Sequence, residues 1–68
     1  MEEFARRLKE LRKEKNITLM QLEKETGLSK STVNDWENGK RIPNAKAIVI
    51  LARFFEVTTD YLLGESDF

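Results

Sequence analysis

The sequence predicts an all-α fold of five helices, and three observations predict it. Apolar residues recur at spacings of three and four along most of the chain, the period of one helix face. Four segments open with a residue whose side chain can cap free backbone amides: Thr18, Ser29, Asn44 and Thr58. Nothing reads as a strand. The nearest candidate, Ile48-Val49-Ile50-Leu51, sits inside a longer helical pattern.

The elements follow in order. Phe4, Leu8 and Leu11 mark one face of a first helix from about Glu2 to Lys15, with Arg6, Arg7, Lys9, Glu10 and Lys13 on its wetter sides. Asn16 breaks it. Thr18 with Gln21 three residues later makes a capping box, and Ile17 with Leu22 a hydrophobic staple, for a short second helix from about Leu19 to Thr26. Gly27 ends that helix. Ser29 caps a third helix, stapled by Leu28 and Val33, that runs to about Glu37 and stops at Asn38-Gly39. A basic loop, Lys40-Arg41, precedes Ile42-Pro43. Asn44 then caps a fourth helix whose inner face reads Ile48, Leu51, Ala52 and Phe55. Thr58 caps a fifth, stapled by Val57 and Leu62 and ended by Gly64. Residues 1–64 form one domain, and residues 65–68 a short C-terminal tail expected to fray. Phe54, adjacent to inward-facing Phe55, is expected to be exposed.

Composition excludes several classes of function. A chain of 68 residues has room for one domain only. It contains no cysteine and no histidine, which removes disulfides, thiolate zinc sites, the commonest general base and the commonest metal ligand. It has no glycine-rich phosphate loop. No catalytic residue, cofactor, metal or small-molecule ligand is expected, and the chain reads as a non-enzyme. No apolar run approaches the roughly 18 residues of a membrane span. The start, Met1-Glu2-Glu3-Phe4, lacks the basic-then-apolar order of a signal peptide, so a cytoplasmic location is expected.

Twelve basic and twelve acidic residues give zero formal net charge. That balance argues mildly against a polyanionic partner, since domains that bind nucleic acid are mostly basic. The distribution is uneven, however. Residues 1–41 carry ten Lys+Arg against eight Asp+Glu, whereas residues 42–68 carry two against four.

The segment Thr18 to Asn38 carries the functional signal. Its two short helices meet at a tight glycine turn, and Leu22, Leu28, Val33 and Trp36 point toward a shared core. The outer face of the second of these helices holds Lys30, Ser31, Asn34 and Asp35, all able to hydrogen-bond. A protruding polar helix of this width can enter the major groove of DNA. The same four residues would equally suit an ordinary solvated face, and Lys40-Arg41 a basic loop without a partner.

The stretches Arg7-Leu8-Lys9-Glu10-Leu11-Arg12, Ile17-Thr18, Gly27-Leu28-Ser29 and Trp36-Glu37-Asn38-Gly39-Lys40-Arg41 with Pro43 resemble the Cro and phage-repressor (XRE) type of helix-turn-helix domain. The ending Val57-Thr58-Thr59-Asp60-Tyr61-Leu62-Leu63-Gly64 is similar to that family's last helix. The resemblance covers essentially the whole chain. It implies a lambda-repressor-like fold in which helices 2 and 3 form the helix-turn-helix. It also implies a sequence-specific transcriptional regulator, a repressor in the first instance, that binds an inverted-repeat operator in double-stranded DNA as a homodimer.

By the same resemblance the third helix is the recognition helix. Ser29, Lys30, Ser31 and Asp35 correspond to DNA-facing positions, with Asn34 beside them and Thr18 and Thr32 completing the surface. Asn38 and the Lys40-Arg41 loop correspond to a backbone-contacting segment, and Arg12 and Glu37 to a partly buried ion pair. Phe54, Tyr61 and Phe68 are the candidate dimer contact. Three residues depart from the family pattern. Leu19 stands where a phosphate-binding Gln is common. Glu23 stands where Ala is usual, so it must bend away or open the helix pair. Asp35 puts a carboxylate on the reading face, where it could accept a hydrogen bond from a cytosine amino group. Asp35 and the zero net charge leave open an alternative reading, a protein-interaction module on the same scaffold, such as an antitoxin-like or partner-controlled regulator.

Overall fold

A computed structural model describes residues 1–68, and its five helices follow in the expected order. They are α1 (Glu2–Glu14), α2 (Leu19–Thr26), α3 (Lys30–Glu37), α4 (Ala45–Phe55) and α5 (Thr59–Leu63). The four expected caps all form. Thr18 Oγ1 accepts from the Gln21 amide at 3.1 Å while Gln21 Oε1 accepts from the Thr18 amide at 2.7 Å, a complete capping box. Ser29 Oγ accepts from Thr32 N at 3.2 Å, Asn44 Oδ1 from Ala47 N at 2.8 Å, and Thr58 Oγ1 from Tyr61 N at 2.9 Å. Each such cap contributes about 1 kcal/mol, which matters in a domain this small.

Helix ends are set by backbone conformation. Asn16 stops α1 with a φ of +58°, and Glu56 ends α4 with a φ of +57°. Gly64 ends α5 at +84° and meets a second demand there. A Cβ on it would lie 2.5 Å from Cβ of Glu3, so glycine is what lets α5 close against α1.

Every helix supplies the single core. Phe4 and Leu8 come from α1, Leu22 from α2, Val33 and Trp36 from α3, Ala47, Leu51 and Ala52 from α4, and Leu62 from α5. Phe4 meets Trp36 edge to face, with ring centres 6.3 Å apart. Helix α1 packs on α3 and α5, α2 on α3 and α4, and α4 on α5. Helix α3 is thus clamped from two sides and keeps one long side free.

Four expectations need correction. On α4 the fully buried residues are Ala47, Leu51 and Ala52, while Ile48 and Phe55 are half-buried. Phe54 is not exposed. It is half-buried and packs edge to face on Phe55 at 4.9 Å, because two neighbouring rings can share a surface groove when one stands across the other. Arg7 is not on a wet side of α1 but 8% exposed. Nor does the tail lie free of the domain. The Arg7 guanidinium donates through Nη1 to the carbonyls of Tyr61 and Ser66, at 2.6 and 2.5 Å, and stacks 4.3 Å above the Tyr61 ring. Thr58 Oγ1 donates to the Phe68 carbonyl at 2.7 Å, and Glu65 N to the Asp60 carbonyl at 2.8 Å.

Arg7 therefore joins α1, α5 and the tail through charge-assisted bonds, each worth about 1.5–3 kcal/mol. Arg7→Ala should lower stability by about 2 kcal/mol and release residues 65–68. Urea denaturation, with amide hydrogen exchange of the tail, measures both. A loss under about 0.5 kcal/mol would show that the clamp contributes nothing.

Candidate nucleic-acid interface

The interface is built around the turn between α2 and α3. Thr26 Oγ1 donates to the Leu22 carbonyl at 2.7 Å and accepts from the Leu28 amide at 3.2 Å, so this hydroxyl ties the turn to the last turn of α2 and pairs the Leu28 amide. Gly27 takes a φ of +78°, and nothing lies within 4 Å of where its Cβ would be. The requirement for glycine there is conformational. Beyond the turn, α3 divides cleanly. Val33, Trp36 and Glu37 are buried, while Lys30, Ser31, Asn34 and Asn38 are exposed. Spacings of three and four put those exposed residues on one stripe, and Asn38 Nδ2 donates to Asn34 Oδ1 along it at 3.3 Å.

Thr32 and Asp35 occupy the flank of α3 and are half-buried. Arg41 folds back against that flank. Its Nη1 donates to Thr32 Oγ1 at 3.4 Å, and its Nε lies 3.9 Å from Asp35 Oδ2. Lys30 and Lys40 point into solvent with no ion-pair partner. Thr32, Trp36, Lys40, Arg41, Ile42 and Asn44 line a shallow groove beside the stripe, and a second groove continues from Thr32 and Asn44 to Lys46. Lys46 was invisible as a site residue in the sequence, because only the packing of α4 against α2 brings it beside the turn.

The remaining expected residues sort as follows. Thr18 and Ser29 are exposed, but their hydroxyl groups are engaged as caps, and Ser29 Oγ also lies 3.1 Å from the Ser31 hydroxyl. Leu19 packs against the core instead of offering a polar group. Glu23 does not spread the helix pair. It bends along α3 and accepts a hydrogen bond from the Lys30 amide at 3.2 Å, filling one of the free donors at the start of α3. That role had no sequence signal, since the two residues are seven apart and belong to different helices. Of the three aromatics expected at a dimer contact, Phe68 is 88% exposed. One face of Tyr61 is covered by Arg7, and Phe54 lies under the Lys15 ammonium at 5.4 Å. The three rings do not stack on one another.

The base of the interface is held by Arg12 and Glu37. Arg12 Nε and Nη2 donate to the two carboxylate oxygens at 2.7 and 3.0 Å, and Nη1 donates to the Ile17 carbonyl at 2.9 Å. The side chains are 15% and 3% exposed. The hydrogen bond to Glu37 pushes the Arg12 pKa above its ordinary value and outweighs the opposing effect of burial. One guanidinium thus ties α1, the segment leading into α2, and the end of α3.

Comparison with known proteins agrees with this geometry. A helix-turn-helix family model matches residues 8–62. The chain is 39% identical over 62 residues to the HTH-type transcriptional activator BcrR of Enterococcus faecalis, covering 91% of this chain and 30% of that protein. It is 45% identical over 58 residues to the HTH-type transcriptional regulator AnsR of Bacillus subtilis, covering 85% and 50%. It is 38% identical over 64 residues to the uncharacterized HTH-type transcriptional regulator YobD of Bacillus subtilis, covering 94% and 57%. The chain therefore spans only 30–57% of the length of these relatives. No solved structure matches it.

Because the Arg12–Glu37 pair is buried and bidentate, removing either partner strands a charge. Glu37→Ala and Arg12→Ala should each cost about 3–5 kcal/mol, while an apolar pair of similar volume, Arg12→Met with Glu37→Leu, should cost less than either. Thermal melts of the three variants check this. Single losses of only a few tenths of a kcal/mol would mean the pair behaves as a surface bridge.

Proposed function

The chain belongs to the helix-turn-helix family of the Cro and phage-repressor (XRE) type, a family of DNA-binding regulators and not of enzymes, and on that premise we propose that it is a sequence-specific transcriptional repressor acting in the cytoplasm. It reads an inverted-repeat operator through the major groove as a homodimer. One observation carries this reading. The exposed stripe Lys30, Ser31, Asn34 and Asn38 stands on a helix whose opposite side is fixed in the core by Val33, Trp36 and Glu37. A groove reader needs that combination, a polar helix free to enter and unable to roll.

The polar groups divide by chemistry. Ser31 and Asn34 stand where base edges would pass, and Asn can bond adenine through its N6 and N7. Lys30 reaches guanine or phosphate. Lys40 and Asn38 follow the backbone, which fixes register without reading sequence, and Arg41 lies between the backbone and the base edges. Thr18 and Ser29 act mainly through the amides that their hydroxyl groups orient, and Thr32 through Arg41, which donates to its hydroxyl. Zero net charge is no obstacle. Residues 30–41 present Lys30, Lys40 and Arg41 against one solvent-reaching carboxylate, Asp35, since Glu37 is buried against Arg12. No helix is long and apolar enough to cross a membrane.

Two measurements test the reading. Titration of a random duplex across ionic strength should give a falling log–log line, because each neutralised phosphate releases counterions. Lys40→Ala should reduce that slope by about one and weaken all sequences alike. A flat salt response would favour a protein-binding module instead.

A single recognition helix reads only a few base pairs, so specificity in a genome requires two. Symmetric half-sites should lie about 34–36 Å apart, one turn of DNA, with Phe54, Tyr61 and Phe68 the surface that we assign to the second copy. Inserting about five base pairs, half a turn, should abolish cooperative binding to an operator selected from a random pool. Unchanged affinity for the lengthened operator would rule out the dimer.

A further inference from the structure

Resting on the DNA-binding reading above, we propose that Asp35 is not a base reader but the positioning residue for Arg41, and that Arg41 is thereby made part of the reading surface. The loop geometry comes first. Gly39 takes a φ of +72°, and the Lys40 amide donates to the Asp35 carbonyl at 2.8 Å, so the chain leaving α3 is turned back along the helix it has just left. This delivers Arg41 to the flank that carries Thr32 and Asp35, residues one turn apart. Thr32 holds Nη1 at 3.4 Å, and the Asp35 carboxylate faces Nε at 3.9 Å. The arginine side chain is still 59% exposed.

Two physical consequences follow. A guanidinium carries five N–H donors in a rigid fork. Thr32 faces Nη1 and Asp35 faces Nε, which leaves the Nη2 donors and the second Nη1 donor for a guanine edge. A free arginine also loses rotamer entropy on being fixed. Holding it beforehand lowers that cost at the moment of binding. Stability gives the pair no other purpose, because an ion pair this exposed adds little to folding. The carboxylate's position is explained as well. Alone on the reading face it would be repelled by phosphates, whereas beside Arg41 its charge is balanced and works locally.

A double-mutant cycle on the whole chain decides the matter, read as the ratio of affinity for the selected operator to affinity for a random duplex at one salt concentration. The ratio cancels the general gain from removing a negative charge. Asp35→Ala should lower it about fivefold or more in the presence of Arg41, within the range of a good base contact. In the Arg41→Ala background the same change should leave the ratio unmoved while both affinities rise together. Asp35→Glu, which keeps the charge within reach of Nε, should restore most of the ratio. Melting temperatures should stay the same throughout. A ratio that falls equally in both backgrounds, with the loss confined to one base pair, would make Asp35 a direct reader of cytosine and overturn the proposal. A ratio unmoved in both would make it a tolerated charge and overturn the proposal too. If the unmutated chain binds no duplex at all, the DNA-binding reading falls, and this inference with it.

Discussion

The rest of this structure depends on where Arg12 puts its guanidinium. A buried charge is tolerated only when it is paired and hydrogen-bonded, and here each guanidinium nitrogen makes a hydrogen bond, Nε and Nη2 to Glu37 and Nη1 to the Ile17 carbonyl. Glu37 is the last residue of α3 and Ile17 the last before the cap of α2. The pair therefore fixes both arms of the helix-turn-helix relative to α1. Apolar packing alone does not supply that. Trp36 and Val33 would hold α3 down, but van der Waals contact lacks direction and resists rolling less well than a two-point hydrogen bond.

Local signals and tertiary contacts reinforce each other around that anchor. Short helices such as α2 and α3 are marginal by themselves. Each is given a polar cap at its start, and α2 a left-handed glycine at its end, so little of its formation is left to the core. The core can then be small. One cluster drawn from all five helices suffices, with Phe4 and Trp36 in edge contact at the centre. The absence of unsatisfied buried side-chain polar atoms is the other half of the account. Arg7, Arg12 and Glu37 enter the interior only in company.

Charge is handled in the same economical way. The chain is neutral overall, yet several of its carboxylates are spent locally. Glu3 and Glu10 face Arg6, Glu37 faces Arg12, and Glu23 covers the Lys30 amide. The hydrogen bond from Arg6 holds the Glu3 carboxyl below its usual pKa. Within residues 30–41, Lys30 and Lys40 remain without an ion-pair partner. Net charge thus understates the field at one face, because a field depends on which charges are near each other and not on their sum.

The sequence by itself determined the five helices, their caps and their order, because those are local matters. A capping box joins residues three apart, a staple residues five apart, and a periodic face runs over a dozen, and all can be read from neighbours along the chain. It also determined which side of α3 is buried, since the apolar Val33 and Trp36 fall at helical spacing, and it pointed to Arg12 and Glu37 through a family resemblance. Only the tertiary structure decided which polar groups work across elements. Arg7 looked like a surface residue and became the clamp on the tail, because α5 comes alongside α1 where Gly64 allows close approach. Glu23 looked like an obstruction and became a cap for a different helix. Asp35 looked isolated until the turn at Gly39 brought Arg41 back to it. These contacts join residues far apart in sequence or in separate elements, and a long polar side chain has several rotamers of similar energy until a partner selects one. Sequence fixes the backbone's local preferences, but the choice among those rotamers is made by what folding brings within hydrogen-bond reach.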